Sequence, residues 1–326
     1  MSEVRRLGVL TSGGDGPGMN PAIRAVVRTA LEHKVTPVGV RRGYQGLLDN
    51  DMEEMTARSV GGIIQRGGTI LGTARCPEFM VPRGRMEALH NMSIHGVEGL
   101  IVIGGDGSMR GALELHKLGF PVIGLPGSID NDMYGTEMSI GVDTALNTLL
   151  RSIDMVKDTA SSHRRAFLIE VMGRNCGYLA LMGAIAGGAE MALIPEVPFT
   201  LDEVLANLQN AYVKGKSHCI IVVAEGASHK ADAIKAFLDE HKEETGFETR
   251  VTILGHVQRG GAASAFDRIL ATRLGVAAVE RLLAGERGVM VGQSHGEAVS
   301  VPLEEVTSKS RPLDMRMYEI ARMLDK

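Results

Sequence analysis

Short apolar runs rich in Val, Ile and Leu alternate along the chain with segments whose apolar positions recur every three to four residues. This alternation predicts a parallel sheet covered by helices on both faces. The first unit begins with a buried strand over 7–10. It runs into Thr11-Ser12-Gly13-Gly14-Asp15, after which 19–33 places Ile23, Val26, Val27, Ala30 and Leu31 on one helical face. Strand, glycine loop and helix recur as 99–103, Gly104-Gly105-Asp106-Gly107-Ser108 and 109–118, and a third strand over 122–125 meets Pro126-Gly127-Ser128. Three such loops along one sheet edge predict a ligand crevice beyond the carboxyl ends of the strands.

A second series predicts a second α/β lobe: helix 142–157, strand 165–172, helix 178–186, strand 192–195, helix 201–213, strand 218–224, helix 231–242 and strand 250–255. No Pro/Ser-rich linker marks the boundary, and the last helices can pack on either lobe. A length of 326 residues fits about two domains at roughly 100–200 residues each.

Composition narrows the classes. With 44% hydrophobic and 23% charged residues the chain is not disordered, and a net charge of −4 leaves no basic excess for nucleic acid or an anionic membrane. No apolar run reaches the ~20 residues of a bilayer span, and the N-terminus leads straight into a strand-like run. A cytoplasmic protein with no nucleic-acid or membrane partner is expected. Cys76, Cys176 and Cys219 form neither a disulfide framework nor a Cys-x-x-Cys zinc motif, and the 18 Met are read as core filler. The 41 glycines exceed the usual ~7% and follow no repeat, so they serve turns and ligand loops.

The run Gly13-Gly14-Asp15-Gly16-Pro17-Gly18 opens a helix, whose orphan N–H groups and positive dipole end favour an anion. It is neither a P-loop, since Met19-Asn20 follow where Lys and Ser/Thr are needed, nor a dinucleotide fingerprint, since the third glycine is missing. A tight turn without ligand is the alternative. Around Asp106, flanking glycines bring a carboxylate and backbone N–H groups together, which suits a phosphate with its magnesium; an Asx turn or helix N-cap is the plainer reading. Asp130 and Asp132, two apart on an extended segment, face the same way, so one can take a proton while the other meets a metal; solvated turn residues are the plainer reading. Arg75, Arg165, Arg174, Arg250, His256 and Arg259 stand at strand ends or beside glycines, where an arginine suits phosphate recognition or a surface salt bridge.

From about residue 7 to 313 the sequence resembles the bacterial-type ATP-dependent 6-phosphofructokinase family. The resemblance is carried by Thr11-Ser12-Gly13-Gly14-Asp15, Gly104-Gly105-Asp106-Gly107-Ser108, Pro126-Gly127-Ser128-Ile129-Asp130-Asn131-Asp132, Met172-Gly173-Arg174, Glu225-Gly226 and Gly255-His256-Val257-Gln258-Arg259-Gly260-Gly261, in the family's order. It implies two doubly wound, parallel-sheet (Rossmann-like) lobes with the active site in the cleft between them. The ATP-binding lobe would comprise 1–141 with 258–308, and the fructose-6-phosphate-binding lobe 142–257 with 309–326. The implied reaction moves the γ-phosphoryl of MgATP to the 1-hydroxyl of fructose 6-phosphate.

By the same resemblance Asp130 is the base, Asp106 and Asp132 hold Mg2+, and Arg75, Arg174 and Gly14 serve the transferring group. Nucleotide positions are Gly14, Tyr44, Arg75, Cys76, Phe79, Arg85, Asp106, Gly107 and Ser108. Sugar positions are Ser128, Asp130, Met172, Gly173, Arg174, Glu225, His256 and Arg259, with Arg165 and Arg250 reaching the 6-phosphate across a subunit boundary of a homotetramer. Effector positions for ADP and phosphoenolpyruvate are Arg24, Arg28, Lys157, Glu190, Lys214, Lys216 and His218. Lys157 replaces a common arginine, Gly62 a common acid and Ser128 a usual threonine, while Met80 and Arg110 depart from frequent residues near the nucleotide. Pyrophosphate-using relatives carry an aspartate and a lysine where Gly107 and Gly127 stand, which favours ATP. The alternatives are a pyrophosphate-dependent phosphofructokinase, a kinase for another phosphosugar such as tagatose 6-phosphate, and a non-enzymatic nucleotide- or NAD-binding regulator.

Overall fold

The computed structural model describes residues 4–324. In chain order these form β1 (Arg6–Ser12), α1 (Met19–Glu32), β2 (Thr36–Val40), α2 (Tyr44–Leu48), β3 (Met52–Glu54), a 3-10 turn (Pro77–Met80), α3 (Pro82–Ile94), β4 (Gly99–Gly104), α4 (Asp106–Lys117) and β5 (Val122–Pro126). Next come α5 (Val142–His163), β6 (Arg165–Val171), α6 (Tyr178–Gly187), β7 (Met191–Leu193), α7 (Leu201–Val213), β8 (Cys219–Ala224), α8 (Ala231–Glu240), α9 (Lys242–Thr245) and β9 (Glu248–Ile253). A second 3-10 turn (Gly255–Arg259) leads to α10 (Ala265–Leu283), β10 (Val289–Ser294), β11 (Glu297–Pro302), α11 (Leu303–Ser308) and α12 (Met315–Leu324).

Two compact units share these elements. The first holds the chain up to Ile129, then Met133–Thr144 and Arg259–Arg311; the second holds Asp130–Asp132, Ala145–Gln258 and the chain from Pro312 onward. The first unit is built on a seven-stranded sheet in the order β11-β10-β5-β4-β1-β2-β3. Side chains alternate across it as strand geometry requires. Leu7, Val9, Ile101, Ile103, Ile123 and Leu125 join the core under α1 and α10, whereas Leu10, Leu100, Val102 and Val122 join the core under α3 and α4. Both faces are covered, so its central strands read as continuous apolar runs.

The second unit carries a four-stranded, wholly parallel sheet in the order β7-β8-β6-β9. One face, with Ala166, Leu168, Ile221 and Val223, is covered by α7 and α8. In the same unit Gly183 and Gly187 let α6 approach α5, because a Cβ at either position would strike Leu149 or Ile153. The last long helix pair divides between the units, α10 packing on α1 and α12 on α6.

The α/β class and two Rossmann-like sheets agree with the sequence expectation, with corrections. The first sheet is not wholly parallel, because β3 and β11 add antiparallel edges, β11 after a tight turn from β10 and β3 after a connection that contains α2. The helix starting at Val142 continues to His163, six residues past the expected stop, since nothing in Asp158-Thr159-Ala160-Ser161-Ser162-His163 breaks it before Arg164 at φ 50°. The strand expected over 192–195 begins at Met191 and ends at Leu193, and the one expected over 250–255 begins at Glu248 and ends at Ile253. The helix expected over 231–242 stops at Glu240. Leu31, expected on the buried face of α1, is 37% exposed, while Ile23, Val26, Val27 and Ala30 are fully buried. Among the described residues no helix is long and apolar enough to cross a membrane.

This packing predicts unequal costs of truncation. Ile101→Ala, in the middle of β4, should lower stability by about 3 kcal/mol through a cavity, whereas Leu31→Ala should change it by about 0.5 kcal/mol or less. Urea midpoints of the two variants check this; equal shifts would contradict the core assignment.

Candidate active site

In the first unit the parallel strands β5, β4 and β1 lie side by side, so the loops that follow them share one carboxyl edge. The next strand after β1 lies on one side of it, and β4 and β5 lie on the other. The order therefore reverses between β1 and β4, where open α/β sheets bind ligands. The two glycine-rich segments flank this point.

The Asp106 segment is tighter than a loop. Gly105 is the N-cap and Asp106, Gly107 and Ser108 form the first turn of α4 rather than preceding it, because an acidic first-turn residue favours the positive helix end. Ser108 Oγ is buried with no hydrogen-bond partner among the described residues. It sits where a Cβ on Gly104 would lie 2.4 Å away and one on Gly13 3.3 Å away. An orphaned hydroxyl between two glycines at the switch point suits a ligand oxygen. A Cβ on Gly107 would meet nothing within 4 Å.

Gly14 is covered differently. A Cβ there would lie 2.5 Å from Arg259 Nη1, and the same Nη1 donates to the Asp15 carbonyl at 3.2 Å. The guanidinium thus rests directly on the glycine backbone. Arg75 is exposed on the loop leading to the first 3-10 turn, with Cys76 half-buried beside it; burial raises the Cys76 thiol pKa.

Tyr44 and Phe79 are core residues, stacked at 4.2 Å, and the buried Tyr44 hydroxyl donates to the Ser108 carbonyl at 2.6 Å. They brace the first turn of α4 from behind. Burial also pushes the Tyr44 phenol far up, so it stays protonated. Arg85 pairs with Glu114 of α4, whose carboxyl is held below its ordinary value by the Lys117 hydrogen bond and by charge from Lys117 and Arg85. Asp106 itself, half-exposed, pairs with the exposed Arg110 at 3.0 Å. Met80 is exposed, and Ser128 lies close to Gly105, its Cβ 3.8 Å from a Cβ built there.

In the second unit β8, β6 and β9 are neighbours and parallel, so Glu225-Gly226, Met172-Gly173-Arg174 and Gly255-His256 leave one edge together. Arg174 has φ 50° and Gly173 φ 148°, a turn that costs backbone strain. Glu225 Oε1 holds it by accepting from Gly173 N at 3.2 Å and Arg174 N at 2.7 Å. Met172 N donates to Gln258 Oε1 at 2.8 Å, and His256 is exposed. Asp130, 4% exposed, has Oδ2 3.7 Å from Arg174 Nε, and Asn131 follows at φ 54°. The buried Cys176 nearby has its thiol pushed up to about 11 by burial.

Arg165 and Arg250 do not join that edge. Arg165 opens the seven-residue β6, so at ~3.3 Å per residue it stands roughly 20 Å before Met172; Arg250 is paired in register with Phe167. Both instead bind Glu248, Arg165 at 2.8 Å, and these bonds and charges hold the Glu248 carboxyl below its ordinary value, Arg165 contributing most.

The effector candidates fall in two places. Arg24 and Arg28 stand one turn apart on α1 in the first unit. In the second, Lys157 donates to the Gly187 and Gly188 carbonyls, filling the C-terminus of α6. Close to it in sequence, Glu190 meets Lys216 at 3.3 Å and accepts from Ile220 N at 2.6 Å. Lys214 caps α7 and His218 Nδ1 lies 3.1 Å from Ser217 Oγ. Gly62 sits at φ 66°, a conformation that an acidic residue would adopt only under strain.

Sequence reasoning gave no role to several residues that hold the strand edge of one unit or the other. Asn20 ties α1 to the Arg66 and Gly67 carbonyls and the Ile70 amide, and Thr73 Oγ1 donates to the Gly13 carbonyl at 2.7 Å. Gln258 stood inside a quoted motif without a function. Only buried polar character at a helix start or loop signals such residues in a sequence.

Fold and strand edges together define a doubly wound α/β protein equipped for phosphorylated ligands. A model of the phosphofructokinase family matches residues 6–282, and the chain belongs to that family. It is 50% identical over 321 residues to the ATP-dependent 6-phosphofructokinase of Bacillus pumilus, covering 98% of this chain and 99% of the relative. It is 51% identical over 330 residues to the enzyme of that name from Halothermothrix orenii, again covering 98% and 99%. Among solved structures, phosphofructokinase from Saccharomyces cerevisiae matches at a TM-score of 0.86 and 39% identity; the match covers 98% of this chain and 47% of that one.

Because a Cβ on Gly226 would lie 1.8 Å from the Arg174 carbonyl, Gly226→Ala should force the Arg174 turn out of place. The variant is expected to lose about 1–3 kcal/mol of stability and most of its catalytic rate, as measured by thermal unfolding and steady-state kinetics.

Proposed function

We propose that the protein catalyses ATP-dependent phosphorylation of fructose 6-phosphate at its 1-hydroxyl, giving fructose 1,6-bisphosphate and ADP in glycolysis. The observation that carries this reading is the 50–51% identity, over 98% of the chain, with relatives named for that reaction.

The residues fit the chemistry. Asp130 takes the proton of the sugar 1-hydroxyl as its oxygen attacks the γ-phosphorus; the new O–P bond forms while the bond to the β-phosphate oxygen breaks and ADP leaves. Arg174, held beside Asp130, and Arg75 stabilise charge on the transferring group. Ser108 offers a buried hydroxyl with no partner among the described residues to the ATP phosphates, and Gly14, on which the Arg259 guanidinium rests, serves the transferring group. Asp106 and Asp132 would hold Mg2+, an ion that binds through one or two carboxylates plus substrate phosphates rather than a full protein cage and neutralises phosphate charge when bound. No group of three or more such ligands occurs among the described residues, and Asp106 is half-exposed and accessible. Open space at Gly107 leaves room for a nucleotide, favouring ATP over pyrophosphate.

Met172, Gly173, Glu225, His256 and Arg259 orient the sugar. Arg165 and Arg250 bind its 6-phosphate in the site of a neighbouring subunit of a homotetramer; their place at the amino end of β6 and in the middle of β9, away from their own chain's Arg174, supports this. ADP and phosphoenolpyruvate act as effectors through Arg24, Arg28, Lys157, Glu190, Lys214, Lys216 and His218. The protein works in the cytoplasm.

The test is turnover of fructose 6-phosphate with Mg2+ and either ATP or pyrophosphate, with direct detection of the bisphosphate. Turnover with ATP alone is expected; turnover with pyrophosphate would overturn the donor assignment, and silence with both would overturn the acceptor. Asp130→Ser should lower kcat by about 10²–10⁴-fold with KM for fructose 6-phosphate little changed.

A further inference from the structure

Asp267, in the first turn of α10, is a fully buried carboxylate that the reaction does not use. Burial raises its pKa, opposed by the bonds it accepts. Its Oδ1 accepts from Gly141 N at 2.9 Å, and its Oδ2 accepts from Thr144 N at 2.8 Å and from Thr144 Oγ1 at 2.5 Å. Thr144 Oγ1 in turn accepts from Ser264 N at 2.9 Å, and Ser264 Oγ caps α10 by accepting from Asp267 N at 3.2 Å. A carboxylate without solvent is tolerated only while its donors stay in place, so it holds those donors as firmly as they hold it.

The donors belong to the segment that returns from the Asp130 loop. Gly141 follows Ile140, whose amide donates to the Pro126 carbonyl at 2.9 Å and which bridges Gly127 at the start of that loop. Gly141 also has no space for a side chain, since a Cβ would lie 3.0 Å from the Pro17 carbonyl and 3.4 Å from Ile129 Cγ2. Gly18, the N-cap of α1, packs against Ile140 and Asp267 in the same way. One carboxylate therefore lies behind the glycine run after β1, the loop after β5 and the start of α5.

We propose that Asp267 is a positioning residue for phosphoryl transfer, acting through Gly141 and Thr144 on the segment between β5 and α5 that carries Asp130 and Asp132. The proposal rests on the kinase reading above. A carboxylate is suited to the task because two oxygens meet three donors at once; an amide of the same shape turns an N–H₂ group toward a backbone N–H and loses one side of the clamp.

The experiment measures wild type, Asp267→Asn, Thr144→Val and Thr144→Ser by steady-state kinetics and by amide hydrogen exchange of the ligand-free protein. Asp267→Asn and Thr144→Val should lower kcat by about tenfold or more, with KM for ATP and for fructose 6-phosphate within about threefold of wild type. Exchange should quicken in peptides spanning 127–144 and not in β4 or α3. Thr144→Ser, which keeps the hydroxyl, should restore kcat and protection. Should Asp267→Asn not fold, Thr144→Val carries the same test. Full kcat in a folded Asp267→Asn or Thr144→Val, or exchange that quickens throughout the first unit with kcat falling only as the folded fraction falls, would overturn the proposal. Inactive wild type would overturn the kinase reading, while the exchange pattern would still judge the clamp.

Discussion

Parallel pairing of β4 with β1 on one side and β5 on the other is the constraint on which the first unit depends. Once three strands end at one edge, their following residues must fold away within a few ångströms of one another. A Cβ on Gly104 or Gly18 would collide with neighbours there, whereas one on Gly107 would not. At the same edge the buried Ser108 hydroxyl has no hydrogen-bond partner among the described residues.

The second unit solves a related problem with side chains instead of their absence. Its strained Arg174 turn is held by two amide bonds to Glu225, and Gly226 gives the turn the space it needs. Arg174 can then stand beside a buried aspartate with most of its own side chain in solvent. The pair joins a guanidinium open to solvent with a carboxylate closed off from it.

Much of this was legible from local pattern. The strands β1, β4, β5 and β8 are continuous apolar runs, and the glycine and aspartate motifs lie within a few residues of their ends. What escaped depended on distant pairing or on marginal local preference. The edge strand β3 is three residues, Met-Glu-Glu, with no apolar pattern, and only its partner β2 makes it a strand. Asp267 lies 126 and 123 residues from Gly141 and Thr144, so no window of sequence contains the clamp. The length of α5 depended on the absence of a breaker, a weaker signal than the presence of one.

The route of the chain between its two units has a bearing on how it is made. It passes from one to the other after Ile129, Asp132, Thr144, Gln258 and Arg311. The strand that extends the first sheet beyond β5 is β10, through Val289 opposite Ile123, so every strand of the second sheet leaves the ribosome before β10 does. At ~5–20 residues per second, β5 waits on the order of ten seconds or more for that neighbour. Throughout that time its open flank is an unpaired parallel edge, the part of a nascent sheet most prone to capture by other chains. Neither unit is a continuous stretch of polypeptide, so the gene cannot be cut into two halves that each encode one of them.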